Sequence, residues 1–123
     1  MKNQNIHRSI INIDSVNEDA ISVKNGTAYS TSKAVVMHLT KTLVGKLLLL
    51  KIHINCISLG WIKIPMNGRD LEQIITFIPY GDIDKVGDLD RLILYLVSND
   101  ASKYIMGSTF TTDREMSWEG RSW

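Results

Sequence analysis

The stretch "AYSTSKAVVMHLTKTL" (residues 28–43) sets Tyr29 and Lys33 four positions apart in an apolar-rich run with no proline. From about residue 27 to residue 50 the chain is rich in Ala, Leu, Val, Met and Lys. Val35, Leu39, Leu43 and Leu47 fall on one helical stripe, so the spacing predicts a long helix. Residues four apart on a helix are surface neighbours. An ammonium beside a phenol favours the phenolate, and a tyrosine so placed can act as an acid or base at neutral pH. Tyr and Lys at this spacing also occur by chance on many helices, so the flanking elements must decide what the pair means.

Upstream, "SIINI" (9–13) is a β-branched run with apolar residues at consecutive positions, the pattern of a strand buried on both faces of a parallel sheet. "DSVNEDAISVKNG" (14–26) is polar, contains Asn25-Gly26 and reads as a loop. Downstream, "KIHINCIS" (51–58) is a second buried strand, after which Gly60 and Pro65 break regular structure. A short helix is expected over about 71–77, and Asp88 is a candidate N-cap for a helix over roughly 89–98. Gly107 closes a turn before a last strand, "STFTT" (108–112), and the tail "DREMSWEGRSW" is irregular. Strand, helix, strand, helix, strand is the order of an α/β fold with a parallel sheet.

Bulk properties narrow the function classes. A chain of 123 residues has the size of one domain, and 44% hydrophobic with 22% charged residues suits a globular chain. A net charge of +1 gives no electrostatic pull toward nucleic acid or an anionic membrane, so neither is expected as a partner. Cys56 is the single cysteine and cannot form an internal disulfide. "MKNQNIHR" lacks the apolar core of a signal peptide, and "LLLL" (47–50) is far too short to span a bilayer. A soluble, cytoplasmic protein is expected.

Taken in order, "IINIDS", "AYSTSKAVVMHLTKTL", "IHINCISLGWIKIPM", "IPYGDIDKVGDL" and "YLVSNDASKYIMG" resemble the second half of a short-chain dehydrogenase/reductase, from about residue 9 to residue 113. The Tyr-x-x-x-Lys pattern is weak evidence by itself; its place between "IINIDS" and "HINCISLGW" carries the resemblance. The implied fold is a partial Rossmann-like parallel sheet of about three strands with flanking helices, a truncated doubly wound fold, with residues 1–123 as one partial domain. Ser15 matches the serine that hydrogen-bonds the substrate carbonyl or hydroxyl. Tyr29 matches the general acid/base. Lys33 matches the residue that assists the tyrosine and holds the ribose hydroxyls of NAD or NADP. Gly60 and the backbone of Ile62 match the segment that contacts the nicotinamide. The hydride chemistry belongs to the cofactor, while the protein supplies orientation and electrostatics.

The departures are specific. The family's turn proline is Leu59 here, which removes a fixed φ. A cofactor-holding threonine falls at Ile64, which has no hydroxyl. A common Asp-Gly-Gly reads Asp113-Arg114-Glu115, and positive φ there would strain Arg and Glu. The segment between Met66 and Ile78, where the family has its substrate lid, is short. No glycine-rich strand-to-helix turn that could cradle a pyrophosphate occurs anywhere in the chain, and the tetrad asparagine expected upstream of the serine is missing with it. The chain alone is therefore not expected to bind the dinucleotide.

Other signals are poor. His7, His38, His53 and Cys56 have no metal-site spacing, Cys56 reads as a buried inert thiol, and Trp61, Trp118 and Trp123 read as packing residues. Two function classes remain. One is an NAD(P)-dependent oxidoreductase acting on a small alcohol or carbonyl, completed by a complementary N-terminal half. The other is a non-catalytic remnant that associates with intact relatives or with further copies of itself.

Overall fold

The computed structural model describes residues 8–16, 27–63, 71–76 and 78–114. In chain order the elements are β1 (Arg8–Ser15), α1 (Thr27–Leu48), β2 (Ile52–Leu59), β3 (Ile62–Lys63), α2 (Leu71–Thr76), β4 (Asp84–Lys85), a 3-10 turn (Val86–Leu89), α3 (Asp90–Val97) and β5 (Thr109–Thr112). The main sheet has three strands in the order β1-β2-β5, and both pairings are parallel. This is the expected partial Rossmann-like sheet. Central β2 is paired on both sides, and Ile52, Ile54, Cys56 and Ile57 are buried, as the near-continuous apolar reading of this strand requires.

The long helix is present, but only the second half of the predicted stripe, Leu43 and Leu47, lies on its buried face. Val35 and Leu39 are exposed, whereas Ser30, Lys33, Val36, Met37, Thr40, Leu43, Val44 and Leu47 are at least half-buried at three- and four-residue spacing. The reason is a polar contact that apolar periodicity cannot register. Asn12 Nδ2 of β1 donates to Thr40 Oγ1 at 2.9 Å, and Thr40 Oγ1 donates to the Val36 carbonyl at 3.0 Å. Thr40, fully buried, therefore marks the face that α1 presents to the sheet. The helix ends at Leu48, two residues short of the expected 50, because Lys51 turns left-handed at φ 54.

Asp88 does not cap α3. It lies in the 3-10 turn one step earlier, where its carboxylate accepts from the Lys85 N–H at 2.8 Å, and α3 begins after Leu89 without a side-chain cap. Gly107 has φ 72, and a Cβ there would lie 2.7 Å from Val44 Cγ2, so the turn before β5 can close onto α1 only as glycine. Buried Asn55 holds the same loop: Nδ2 donates to the Ile105 carbonyl at 3.2 Å, and Oδ1 accepts from Ser108 N–H at 3.1 Å.

A second, two-stranded parallel sheet, β3 with β4, was not expected from the sequence. Its neighbours Ile78 and Ile83 form a small core against Trp61 and Ile75. Among the described residues, no helix is long and apolar enough to cross a membrane, and no group of His, Cys, Asp or Glu could hold a metal ion. The expectations for His7, Asn25-Gly26, Ile64, Pro65, Met66, Glu115, Trp118 and Trp123 lie outside the described residues.

Candidate active site

The strand registers align three chain ends. Ser15 pairs with Leu59, and Leu59 pairs with Thr112, so β1, β2 and β5 finish side by side at their carboxyl ends. Ligands of open parallel α/β sheets bind outside this edge. A cavity of about 340 Å³ opens here, near the lower end of the ~300–1,000 Å³ usual for small-ligand sites. It is lined by Ser15, Tyr29, Lys33, Gly60 and Ile62, all five residues predicted from the sequence.

Each arrives by a local cause. Ser15 is the last residue of β1, which runs two residues into the segment 14–26 expected to be a loop, and only 5% of it is exposed. Tyr29 and Lys33 come from the first turns of α1, with the ammonium 5.8 Å from the ring centroid. Lys33 Nζ also donates to the Ile13 carbonyl at 3.1 Å, which ties the helix to the strand carrying Ser15. Tyr29 is half-exposed and lines the cavity. Gly60 is a contact glycine: a Cβ there would meet Asp113 Cα at 2.7 Å.

Val86 and Asp14, which also line the cavity, escaped sequence reading, and Trp61, for which packing was preferred over a cleft role, lines it too. Trp61 lines the cavity and also packs against Ile78 and Ile83, so the packing expectation holds for only part of its role. Val86 reaches the cavity because β4 pairs with β3, Ile62 opposite Asp84 and Lys63 opposite Lys85. Two residues per strand are too few for any periodicity to announce. Asp14 is 1% exposed, and neither carboxyl oxygen accepts a hydrogen bond. Its place beside Ser15 was the only available signal.

The expected strain at the Asp113-Arg114 turn is present, since Arg114 has φ 51. Its Nε donates to Asp84 Oδ1 at 2.5 Å, its other nitrogens lie 3.8 Å from Asp82 and 3.7 Å from Asp88, and the guanidinium sits 4.8 Å above the Tyr80 ring. The Asp84 hydrogen bond is the main influence raising the Arg114 pKa, with the charges of Asp84 and Asp82 adding to it.

The cavity suits the nicotinamide-ribose end of a dinucleotide in donor chemistry, since Lys33 and Tyr29 can meet ribose hydroxyls. Among the described residues no glycine-rich strand-to-helix turn offers a pyrophosphate cradle.

Residues 1–116 match the family model described as enoyl-(acyl carrier protein) reductase. The chain is 32% identical over 109 residues to the 3-oxoacyl-(acyl-carrier-protein) reductase FabG of Thermotoga maritima, covering 85% of this chain and 44% of that protein. It is 35% identical over 111 residues to the protein of the same name from Rickettsia felis, covering 86% and 45%. A short-chain type dehydrogenase/reductase from Mycobacterium marinum superposes with a TM-score of 0.81 at 32% identity, over 89% of this chain and 44% of that one. The chain thus spans less than half the length of these relatives. A family match that extends over nearly the whole sequence, on a fold that superposes at a TM-score of 0.81, makes the chain a member of the short-chain dehydrogenase/reductase family.

Proposed function

We propose that the chain carries the proton-transfer and substrate-facing half of an NAD- or NADP-dependent oxidoreductase that interconverts an alcohol and a carbonyl, with the nucleotide-binding half supplied by another polypeptide segment. The observation that carries this reading is the convergence of Ser15, Tyr29 and Lys33 on one cavity at the carboxyl edge of a parallel sheet. The bound cofactor supplies the hydride acceptor or donor. In the oxidative direction the Tyr29 phenolate takes the hydroxyl proton of the substrate as its C–H hydride leaves; in reduction the phenol returns that proton to the carbonyl oxygen. The Ser15 hydroxyl hydrogen-bonds the same oxygen. The Lys33 ammonium lies 5.8 Å from the Tyr29 ring centroid, and its bond to the Ile13 carbonyl holds it at the cavity. Small alcohols and carbonyls are the substrate class, in keeping with relatives whose names describe reduction of a 3-oxoacyl group.

The test is co-expression of the full chain with the nucleotide-binding half of a relative, followed by nicotinamide absorbance with a 3-oxoacyl thioester. Turnover that disappears in Tyr29→Phe supports the reading, and turnover insensitive to that change refutes it. A second reading is a non-catalytic chain that associates with relatives or with itself. It predicts a stable complex with no turnover.

A further inference from the structure

We propose that Arg114 is a positioning residue that holds the Ile62 and Val86 wall of the cavity, and so sets the shape of what the site admits. This rests on the oxidoreductase reading for its functional meaning, and on geometry alone for the clamp itself.

The wall is intrinsically weak. β3 and β4 have two residues each, a length that cannot hold a pairing by backbone hydrogen bonds alone. Asp84 faces Ile62 in that pairing and is 8% exposed, while its N–H reaches the Trp61 carbonyl only at 3.3 Å. A carboxylate this buried opposes closure of the sheet unless a cation meets it. Arg114 provides the cation. Its Nε takes Asp84, and the rest of its fork lies near Asp82 and Asp88. Asp88 is in turn bonded to the Lys85 N–H, next to Val86. One guanidinium therefore spans the segment 82–88 from before β4 to the turn after it. Stacking on Tyr80 restricts the guanidinium from one face.

The backbone shows that the contact is imposed. Arg114 adopts φ 51, a conformation costly for any residue with a Cβ, and persists in it where surrounding contacts over-determine the geometry. Asp113, immediately before it, lies against Gly60, with Gly60 N–H donating to the Thr112 carbonyl at 2.9 Å. The end of β5 thus rests on one cavity residue, Gly60, and grips the segment that carries another, Val86. Ile62 lies between the two, held through its pairing with Asp84.

Hydrogen exchange read by mass spectrometry on the full chain tests this, whether the chain is monomeric or associated. Arg114→Gly removes the clamp while relieving the φ cost, and Arg114→Met removes only the charge and the fork. Both are expected to speed exchange in peptides covering 61–63 and 84–88 by about tenfold or more, with 52–57 of β2 unchanged. Arg114→Lys keeps a charge without the fork and should fall between. Unchanged exchange at 61–63 and 84–88 in both variants overturns the clamp, as does a uniform rise that includes β2. In a preparation that turns over, both variants should raise KM several-fold with kcat nearly unchanged; a fall in kcat at constant KM overturns the positioning role. Absence of turnover when the unmodified chain is co-expressed with a nucleotide-binding half counts against the oxidoreductase reading alone, and the exchange result still decides the clamp.

Discussion

Gly60 and Asp113 touch backbone to backbone: a Cβ built on Gly60 would stand 2.7 Å from the Asp113 Cα and 2.9 Å from its Cβ. The contact seals β5 against the end of β2, at the floor of the candidate site. Since the obstructing atoms are main chain and Cβ, no rotamer can relieve the clash. Gly60→Ala should therefore destabilise the protein by about 1–3 kcal/mol, the usual cost of overpacking. Urea denaturation measures it, and a variant as stable as the parent would show that the two chain segments separate freely.

Lys51 is the opposite case, a side chain where glycine would be better. It closes α1 at φ 54, with its N–H on the Leu48 carbonyl at 3.0 Å. A left-handed conformation costs a residue with a Cβ roughly 1–2 kcal/mol, part of which returns as glycine's larger entropy loss on folding. Lys51→Gly is expected to raise stability by up to ~1 kcal/mol, read as a higher denaturation midpoint at unchanged slope.

Tyr29 and Lys33 should separate chemistry from folding. In an active assembly, Tyr29→Phe keeps the ring and removes the transferable proton, and turnover should fall by about two to four orders of magnitude. Lys33→Met should slow turnover as well, because both the positive charge beside the ring and the bond to Ile13 disappear. The thermal transition of Tyr29→Phe should stay near that of the parent, since the half-exposed ring is retained.

Dinucleotide binding is the direct measure of what the cavity holds unaided. Lys33 and Tyr29 offer ribose contacts and nothing for the pyrophosphate, so calorimetric titration of the chain alone with NAD or NADP should detect no binding. Micromolar affinity would overturn the proposal that another segment supplies the nucleotide-binding half.

β1 has a strand partner on one side only among the described residues, since the sheet order puts it at an edge. Its apolar sequence and its edge position make it a template for another chain. Light scattering is expected to find the isolated chain associated, and a soluble monomer with a sharp reversible melt would refute that. A nucleotide-binding half that pairs with this edge should convert the assembly to a defined complex.

The pattern of elements was legible in the sequence because it rests on local physics. The isoleucine-rich run at 9–13 and the mixed apolar run at 51–58 mark strands, and a long proline-free segment between them marks a helix. Only the second strand is buried on both faces: among the described residues β1 lies at the sheet edge, with Ile13 41% exposed. Ser15, Tyr29, Lys33, Gly60 and Ile62 could be picked out because motif order along the chain carries them. The tertiary structure decided the rest, wherever the cause lies far along the chain. Thr40 turned α1 because Asn12, 28 residues away, meets its hydroxyl. Asp88 left the start of α3 because the backbone at Lys85 offered an N–H one turn earlier. Val86 joined the site through a pairing of strands too short to leave a periodic trace, and Arg114 took a strained conformation because the buried Asp84, 30 residues before it, required a cation. Apolar spacing records which face a segment can bury, whereas a buried polar group is satisfied only by a partner whose position the folded chain supplies.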